Sequence, residues 1–344
     1  MSYDELPVPS HFDADKVGEV WRVPYQERAD DAEQWAAKHR ISPSSQDTYR
    51  ICLMLVDVQN TFCIPGFELF VGGASGTAAV EDNRRVCQFI YRNLGIITEV
   101  CATMDTHMTM QVFHNIFLVN ERGEHPAPFS TISEEEIVQG VWKLNARAAK
   151  SLGISNRYAE DYLRHYAHQL DKKAKYDYTI WPYHAMLGGI GHALVSAVEE
   201  AVFFHGVARY TRTDFQVKGD NPLTENYSVL RPEVVEDAEG KSIAQENKQL
   251  INKLVDFDAV IIAGQAKSHC VFWTVDDLLD QLQSADKKLT GKVYLLEDCT
   301  SPIVIPDGPD FTDAAHEAFE RFAAAGMHVV RSSDPVRNWL GISL

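Results

Sequence analysis

The sequence predicts an α/β fold with a doubly wound, mostly parallel sheet that carries helices on both faces. Two stretches, ICLMLV at residues 51–56 and AVIIA at residues 259–263, are continuously apolar. Such runs are typical of parallel strands buried on both faces. Strand-like and helix-like segments also alternate along most of the chain, as they do in doubly wound sheets.

The remaining elements follow the same alternation. After the first strand, the sequence favours a helix near residues 78–93, where VCQFIYRNL supplies an apolar face. Further strands are predicted at residues 97–104, 215–218, 292–296 and 328–331. Further helices are predicted near residues 193–205, 270–283 and 312–325.

Two segments depart from this pattern. Residues 1–48 are polar, contain four prolines and include one plausible helix near residues 27–39, so we interpret them as an N-terminal extension or arm. Residues 49–344 are predicted to form the α/β domain itself, with an insertion at about 115–180. Within this insertion, ISEEEIVQG predicts a short capped helix, and residues 156–173 predict a more polar one.

Composition narrows the classes of partner. Acidic residues number 49 against 32 basic ones, and the net charge is -17. This charge repels phosphate backbones and anionic lipid, so we expect neither nucleic acid nor a membrane as partner, whereas a small neutral or cationic molecule is not repelled. Homo-oligomerisation through the arm stays open.

The six cysteines are widely spaced without a CxxC pair, and the N-terminus is too polar and acidic for a signal peptide. Both features predict a cytoplasmic protein with reduced thiols. No apolar run approaches the roughly 20 residues that a membrane span needs.

Polar residues follow several of the predicted strands. Asp57 follows the first strand, Lys218 ends the strand near 217, and Cys270 begins the helix after the third strong strand. Ligands in parallel sheets bind beyond the carboxyl ends of the strands, where these residues would meet. A helix N-terminus and an ammonium stabilise a thiolate, and a carboxylate can carry its proton. Each residue alone has an ordinary structural explanation; the set predicts a cysteine nucleophile.

A second set is typical of a metal site. Asp105 and His107 are two residues apart, so on an extended chain their side chains point to the same side. His184 is the best candidate for a third ligand, ahead of His114 and His125. One carboxylate and two imidazoles suit one divalent ion, zinc first, with iron or manganese as alternatives.

These residues lie in motifs that resemble the isochorismatase-like cysteine hydrolases, and among them the nicotinamidases. The motifs are, in order, LMLVDVQNTFC, DTH, WPYH, KG followed by ENYS, and AGQAKSHCV, and together they cover about residues 50–335. The resemblance implies a catalytic triad of Asp57, Lys218 and Cys270, and the metal ligands Asp105, His107 and His184. It also implies a substrate-binding set of Phe62, Trp181 and Tyr227, an oxyanion hole from the N–H groups of Ala266 and Cys270, and a cis peptide between Gln265 and Ala266.

The expected function is therefore a metal-dependent cysteine amidohydrolase that converts nicotinamide and water to nicotinate and ammonia through a thioester. The alternative within the fold is another small amide, a carbamoyl compound or isochorismate as substrate. A rival of another class is a binding or regulatory protein on a hydrolase scaffold. The chain departs from the family at Ala185, where a cysteine is common, and at Lys267, whose side chain we expect to point into solvent.

Overall fold

A computed structural model describes residues 5–173, 176–305 and 308–344. It divides into two compact units that interleave along the chain. Unit 1 comprises Met1–Met104, Ala193–Gln216 and Lys248–Leu344, and unit 2 comprises Asp105–His192 and Val217–Asn247. The predicted insertion at 115–180 lies within unit 2.

The secondary structure of the described residues contains strands, α-helices and short 3-10 turns. The strands are β1 Ile51–Val56, β2 Glu99–Asp105, β3 Leu118–Val119, β4 Thr131–Ile132, β5 Lys143–Leu144, β6 Tyr178–Thr179, β7 Asp214–Lys218, β8 Ala259–Gly264, β9 Val293–Leu296 and β10 His328–Val330. The α-helices are α1 Tyr25–His39, α2 Asn60–Cys63, α3 Ala78–Arg92, α4 Glu134–Val138, α5 Ala146–Ser151, α6 Asn156–Lys173, α7 Ser196–Ala208, α8 Lys248–Val255, α9 Cys270–Ala285 and α10 Thr312–Ala324. The 3-10 turns are Ala14–Lys16, Ser44–Gln46, Asn115–Phe117, Ile190–His192, Lys287–Lys292, Glu297–Cys299 and Val336–Asn338.

Six strands form the main sheet, in the order β10-β9-β8-β1-β2-β7. The pairings of β1 with β2 and β8, and of β9 with β8 and β10, are all parallel. Strand order changes direction around β1, as it does in doubly wound sheets. The predicted α/β fold class is therefore confirmed.

Both faces of this sheet are buried, which explains its continuously apolar strands. Ile51, Leu53 and Leu55 point into a core that they share with residues of α3 and α7. Cys52 and Met54, on the opposite face, are equally inaccessible. A strand that alternated apolar and polar residues would place polar groups without partners into one of these faces.

The N-terminal segment packs within unit 1. Helix α1 lies along α7, and Arg28 Nε is 3.4 Å from Glu200 Oε1. The backbone N–H of Trp21 donates to Ser196 Oγ at 2.9 Å, and that of Leu6 donates to Arg92 O at 2.9 Å. These bonds fix residues 5–48 against their own unit.

Unit 2 has its own apolar core and two small antiparallel sheets, β3 with β5 and β4 with β6. Helix α6 contributes Tyr162, Leu163 and Tyr166 to that core. The predicted capped helix is confirmed as α4, where Ser133 and Glu136 form a reciprocal capping box.

Element boundaries differ from the sequence prediction by a few residues, and three short helices were missed, namely α2, α5 and α8. Helix α8 was not predicted because its KQLINKLV pattern covers only two turns. It buries Leu250, Ile251 and Leu254 on one face. None of the described helices combines the length and apolarity required to cross a bilayer.

Candidate active site

In unit 1, β1 and β8 end in close contact. Val56 is paired with Gly264, and the N–H of Gln265 donates to Val56 O at 2.8 Å. Gly264 has φ +118°, and a Cβ there would lie 2.1 Å from Val56 O. Only glycine fits this position, which leads the chain from β8 into the segment that ends at Cys270.

Asp57, directly after β1, is fully buried and held by the neighbouring strand. Its N–H donates to Thr103 Oγ1 at 3.0 Å, and the Thr103 hydroxyl donates to Asp57 Oδ1 at 2.5 Å. Asp57 also has φ +48°, which is uncommon for a residue other than glycine. Strain of this kind persists where surrounding contacts enforce it, often at functional positions.

The segment between β8 and α9 is fixed by hydrogen bonds. The peptide between Gln265 and Ala266 is cis, as predicted. The carbonyl of Ala266 accepts from the N–H groups of His269 at 2.9 Å and Val271 at 3.1 Å. Gln265 Nε2 donates to Asp82 Oδ2 at 2.9 Å. This turn makes Cys270 the first residue of the 16-residue helix α9.

Cys270 differs from the other cysteines in its exposure. None of the six is in a disulfide, and Cys270 alone among them is partly exposed. Burial raises the pKa of each of the other thiols, in Cys52, Cys63, Cys87, Cys101 and Cys299. A thiol at the start of a helix has its thiolate stabilised by the helix N-terminus. Cys270 is therefore the cysteine that a substrate can reach.

The position of Lys267 differs from the prediction that its side chain points into solvent. Its side chain does not point into solvent: the residue is only 6% exposed, and its ammonium lies 4.2 Å from the ring centroid of Phe319. Burial lowers the pKa of Lys267. An ammonium over an aromatic face is a favourable arrangement, and it packs this lysine into unit 1.

In unit 2, the three predicted metal ligands come together. Asp105, His107 and His184 are buried, and one ligand atom from each lies within 4.8 Å of the others. Asp105 Oδ2 is 2.8 Å from His107 Nε2 and 3.3 Å from His184 Nε2. The backbone supports this approach, because the N–H of His107 donates to Ala185 O at 3.0 Å.

The outer nitrogen of each imidazole is occupied by a backbone carbonyl. His107 Nδ1 lies 3.1 Å from Gly219 O, and His184 Nδ1 lies 2.8 Å from Pro182 O. A carbonyl can only accept, so each Nδ1 carries a hydrogen, and each Nε2 is the nitrogen that faces Asp105. Histidines that bind metals are oriented in this way, and the donor set fits a divalent ion.

Lys218 is anchored to the same carboxylate. Its ammonium donates to Asp105 Oδ1 at 2.9 Å and to Asn226 O at 2.8 Å. Burial alone would raise the pKa of the Asp105 carboxyl, but His107 and Lys218 outweigh it and hold this pKa well below its usual range. Burial lowers the pKa of His184, whereas Asp105 outweighs burial at His107 and raises its pKa.

Gly219 explains the KG motif. Its φ is +83°, and a Cβ there would lie 2.8 Å from His107 Cε1 and 3.1 Å from Asp105 Oδ1. Any other side chain at 219 would have to displace the candidate metal-binding group, which consists of Asp105, His107 and His184. The KG motif is visible in the sequence, but only the structure shows the contact that requires glycine at position 219.

His114 and His125, the other two histidines considered as metal ligands, are not part of the group that Asp105, His107 and His184 form among the described residues. The His114 ring is 6.1 Å from that of His107 and 4.5 Å from that of Tyr183, and burial lowers the pKa of His114 to about 3. His125 Nδ1 is bonded to Leu118 O at 2.6 Å. His114 thus packs beside the group, and His125 supports the loop after β3.

Two predicted aromatic residues meet in unit 2. Trp181 Nε1 donates to the Tyr227 hydroxyl at 3.2 Å, and both line a small cavity of about 10 Å³ together with Glu225. Burial raises the pKa of Glu225 to about 7. The family resemblance implies a role for Tyr227 of the ENYS motif but none for Glu225. Phe62, the third aromatic candidate, lies in α2 of unit 1 and is 8% exposed.

The predicted site residues are thus distributed over both units. Unit 1 holds Asp57, Phe62, Ala266 and Cys270, and unit 2 holds the metal-binding group with Lys218, Trp181 and Tyr227. Asp105, His107 and His184 lie close together beside Lys218, and their role as metal ligands stays a prediction. The joint action of Asp57, Lys218 and Cys270 stays a prediction.

Comparison with known proteins finds likeness in structure only. No protein-family model matches the chain, and no curated protein matches it significantly. The chain is similar to an Acinetobacter baumannii nicotinamidase/pyrazinamidase structure (18% identity, 84% of this chain and 99% of that chain, TM-score 0.48). It is also similar to yeast nicotinamidase bound to the inhibitor nicotinaldehyde (17% identity, 82% and 99%, TM-score 0.49). A third is Pyrococcus horikoshii pyrazinamidase in complex with zinc (18% identity, 82% and 99%, TM-score 0.40). These proteins belong to the group whose motifs the sequence resembles, and at such identities the likeness concerns the fold.

Proposed function

We propose that this chain is a metal-dependent cysteine amidohydrolase whose preferred substrate is nicotinamide. The observation that carries the proposal is the exposure of Cys270 at the start of α9, while the other five cysteines are buried. The aromatic pair Trp181 and Tyr227 supports a flat aromatic substrate. The absence of disulfides supports the cytoplasm as the proposed compartment.

In the proposed reaction, Asp57 accepts the thiol proton and the sulfur of Cys270 attacks the carboxamide carbon. The charge that develops on the carbonyl oxygen is stabilised by the N–H groups of Ala266 and Cys270, and one such donor is worth about 2.7–4 kcal/mol. Asp57 then returns the proton to the departing ammonia, which leaves a thioester. Asp57 next takes a proton from water, which attacks the thioester and releases the acid and the thiol.

Lys218 is proposed to stabilise the thiolate form of Cys270 and to keep the metal ligand Asp105 ionised. The second role is supported by the 2.9 Å bond between Lys218 Nζ and Asp105 Oδ1. Asp105, His107 and His184 would hold one divalent ion, for which we propose zinc, and a bound ion supplies a Lewis-acid position for a ring nitrogen. The burial of all three ligands supports a structurally defined site.

A substrate panel tests this function. Ammonia release should be measured with the zinc-loaded chain on nicotinamide, pyrazinamide, benzamide and acetamide. We expect nicotinamide and pyrazinamide to be hydrolysed, and benzamide, which has the same shape but no ring nitrogen, to react at least tenfold more slowly. Equal rates for nicotinamide and benzamide would remove the ring nitrogen from recognition. No ammonia from any amide would contradict the proposed reaction.

A further inference from the structure

A second cavity lies at the opposite end of the strands from Asp57 and Cys270. It has a volume of about 610 Å³ and is lined only by residues of unit 1. Its walls include Asp47 and Thr48, shortly before β1, and Ile96, shortly before β2. Asp57 follows the other end of β1, and six residues of strand span roughly 20 Å. This cavity is therefore remote from the proposed chemistry, and its volume is typical of a small-molecule site.

The charge of its lining differs from that of the protein. The whole chain has a net charge of -17, but the ionised side chains that line this cavity are four arginines and two carboxylates. They are Arg40, Arg92, Arg209, Arg337, Glu5 and Asp47. In a strongly acidic protein, such a concentration of guanidinium groups attracts anions to one place.

One of these arginines is part of the wall. Arg209 is 1% exposed, and its guanidinium binds both oxygens of Asp47, with Nη2 2.6 Å from Oδ1. It also donates to the carbonyl of Ser42. Asp47 in turn accepts from the Thr98 hydroxyl at 2.7 Å. Asp47 is thus neutralised and held in position, and it does not repel an anion in the cavity.

Two other arginines of the lining, Arg40 and Arg92, can offer their positive charge to a bound anion. In the ranges 5–173, 176–305 and 308–344, no carboxylate forms an ion pair with Arg40 or Arg92. The guanidinium of Arg92 donates to the carbonyl of Ser332, which orients it without neutralising it. Arg40 directly follows α1 with φ +55°, and the bonds of its backbone N–H to the carbonyls of Ala36 and Ala37 fix the backbone that carries this side chain. Arginine presents paired donors that match phosphate and carboxylate oxygens.

The rest of the lining is partly apolar, with Leu6, Ile41, Ile96 and Val336. Arg40 and Arg92 together carry two positive charges with which no carboxylate of the described residues forms an ion pair. A phosphate monoester carries about -1.5 to -2 charges at pH 7, which matches the charge of these two guanidinium groups. We propose that the cavity binds a small molecule of nucleotide size, in which a phosphate monoester meets Arg40 and Arg92 and an organic body meets the apolar wall.

Calorimetric titration of the full chain tests this assignment, with adenosine monophosphate as the probe. Adenosine, inorganic phosphate and succinate serve as comparison ligands. We expect adenosine monophosphate to bind, phosphate to compete with it, and adenosine to bind at least tenfold more weakly. Arg40→Gln and Arg92→Gln should each weaken binding of the monophosphate at least tenfold, whereas Arg122→Gln, at an exposed loop of unit 2, should leave it unchanged.

Arg40 is exposed, so Arg40→Gln tests the site even where Arg92→Gln impairs folding. Failure of the monophosphate to bind at millimolar concentration would overturn the assignment. Equal binding of adenosine would remove the anion from recognition. Tighter binding of succinate than of the monophosphate would overturn the choice of phosphate. Unchanged binding in both arginine variants would place the ligand elsewhere.

Discussion

Replacing Gly219 by alanine should disrupt the group formed by Asp105, His107 and His184 without changing any of these three residues. The added Cβ would lie 2.8 Å from His107 Cε1, closer than real Cβ contacts allow, and 3.1 Å from Asp105 Oδ1, closer than most of them. Because the His107 ring is also bonded to the carbonyl of Gly219, the ring cannot move away without losing the bond that orients it. The clash therefore falls on the group proposed to bind the ion.

Two effects determine how far Gly219→Ala lowers the stability of the chain and its affinity for zinc. The left-handed backbone at φ +83° costs an alanine roughly 1–2 kcal/mol of unfolding free energy. Displacing a group that orients metal ligands typically lowers metal affinity by about 10–100-fold. We therefore expect Gly219→Ala to bind zinc about 10–100-fold more weakly than the wild type, and to be destabilised by more than the backbone cost alone.

Gly123→Ala is the matched control. Gly123 has a similar φ of +78°, but a Cβ there would meet no atom within 4 Å. Gly123→Ala should lose the same unfolding free energy through its left-handed backbone and should keep the zinc affinity of the wild type. Zinc affinity is measured by competition with a fluorescent chelator, and stability by urea unfolding. Wild-type zinc affinity in Gly219→Ala, with folding intact, would refute the assignment of Asp105 and His107 as ligands.

Three further predictions concern other parts of the chain. Burial lowers the pKa of His205 from 6.5 to about 4, so stability is fully present above pH 6.5 and is lost as pH falls towards 4. Urea unfolding should show the wild type losing about 3 kcal/mol more over this interval than His205→Gln, and parallel losses would contradict the prediction. Iodoacetamide should alkylate Cys270 in the folded chain and the other cysteines only after unfolding, as checked by peptide mass spectrometry; early labelling elsewhere would be inconsistent with their burial. Ser133→Ala should cost about 1 kcal/mol in urea unfolding by removing the capping box of α4, and an unchanged midpoint would show that this cap contributes nothing.

The main sheet was predicted well from the sequence, because each central strand is recognisable from its own residues without knowledge of distant contacts. Residues 51–56 and 259–264 are apolar throughout since both faces are covered, and no other element gives that pattern at that length. Helix α8 was missed because two turns of amphipathic pattern are too short to stand out. The extent of unit 2 was also not predicted, because the association of residues 217–247 with 105–192 depends on contacts remote in sequence.

The candidate site was predicted in part for the same reason. Asp105 and His107 are two residues apart, so their approach follows from local geometry, whereas His184 is remote in sequence and could be named only as the best candidate for a third ligand. Glu225 and the steric role of Gly219 depend on three-dimensional packing that no spacing reveals. Lys267 was predicted wrongly because a lysine is usually solvated, and the face of Phe319 that covers it lies far along the chain.

The central claim is that Cys270 is the nucleophile, and ammonia release from nicotinamide by the zinc-loaded chain tests it most directly. Cys270→Ala should abolish release while its circular dichroism spectrum and melting temperature stay close to those of the wild type. Cys101→Ala, which removes a buried thiol from β2, should retain activity. Ammonia release by Cys270→Ala at the wild-type rate would contradict the account.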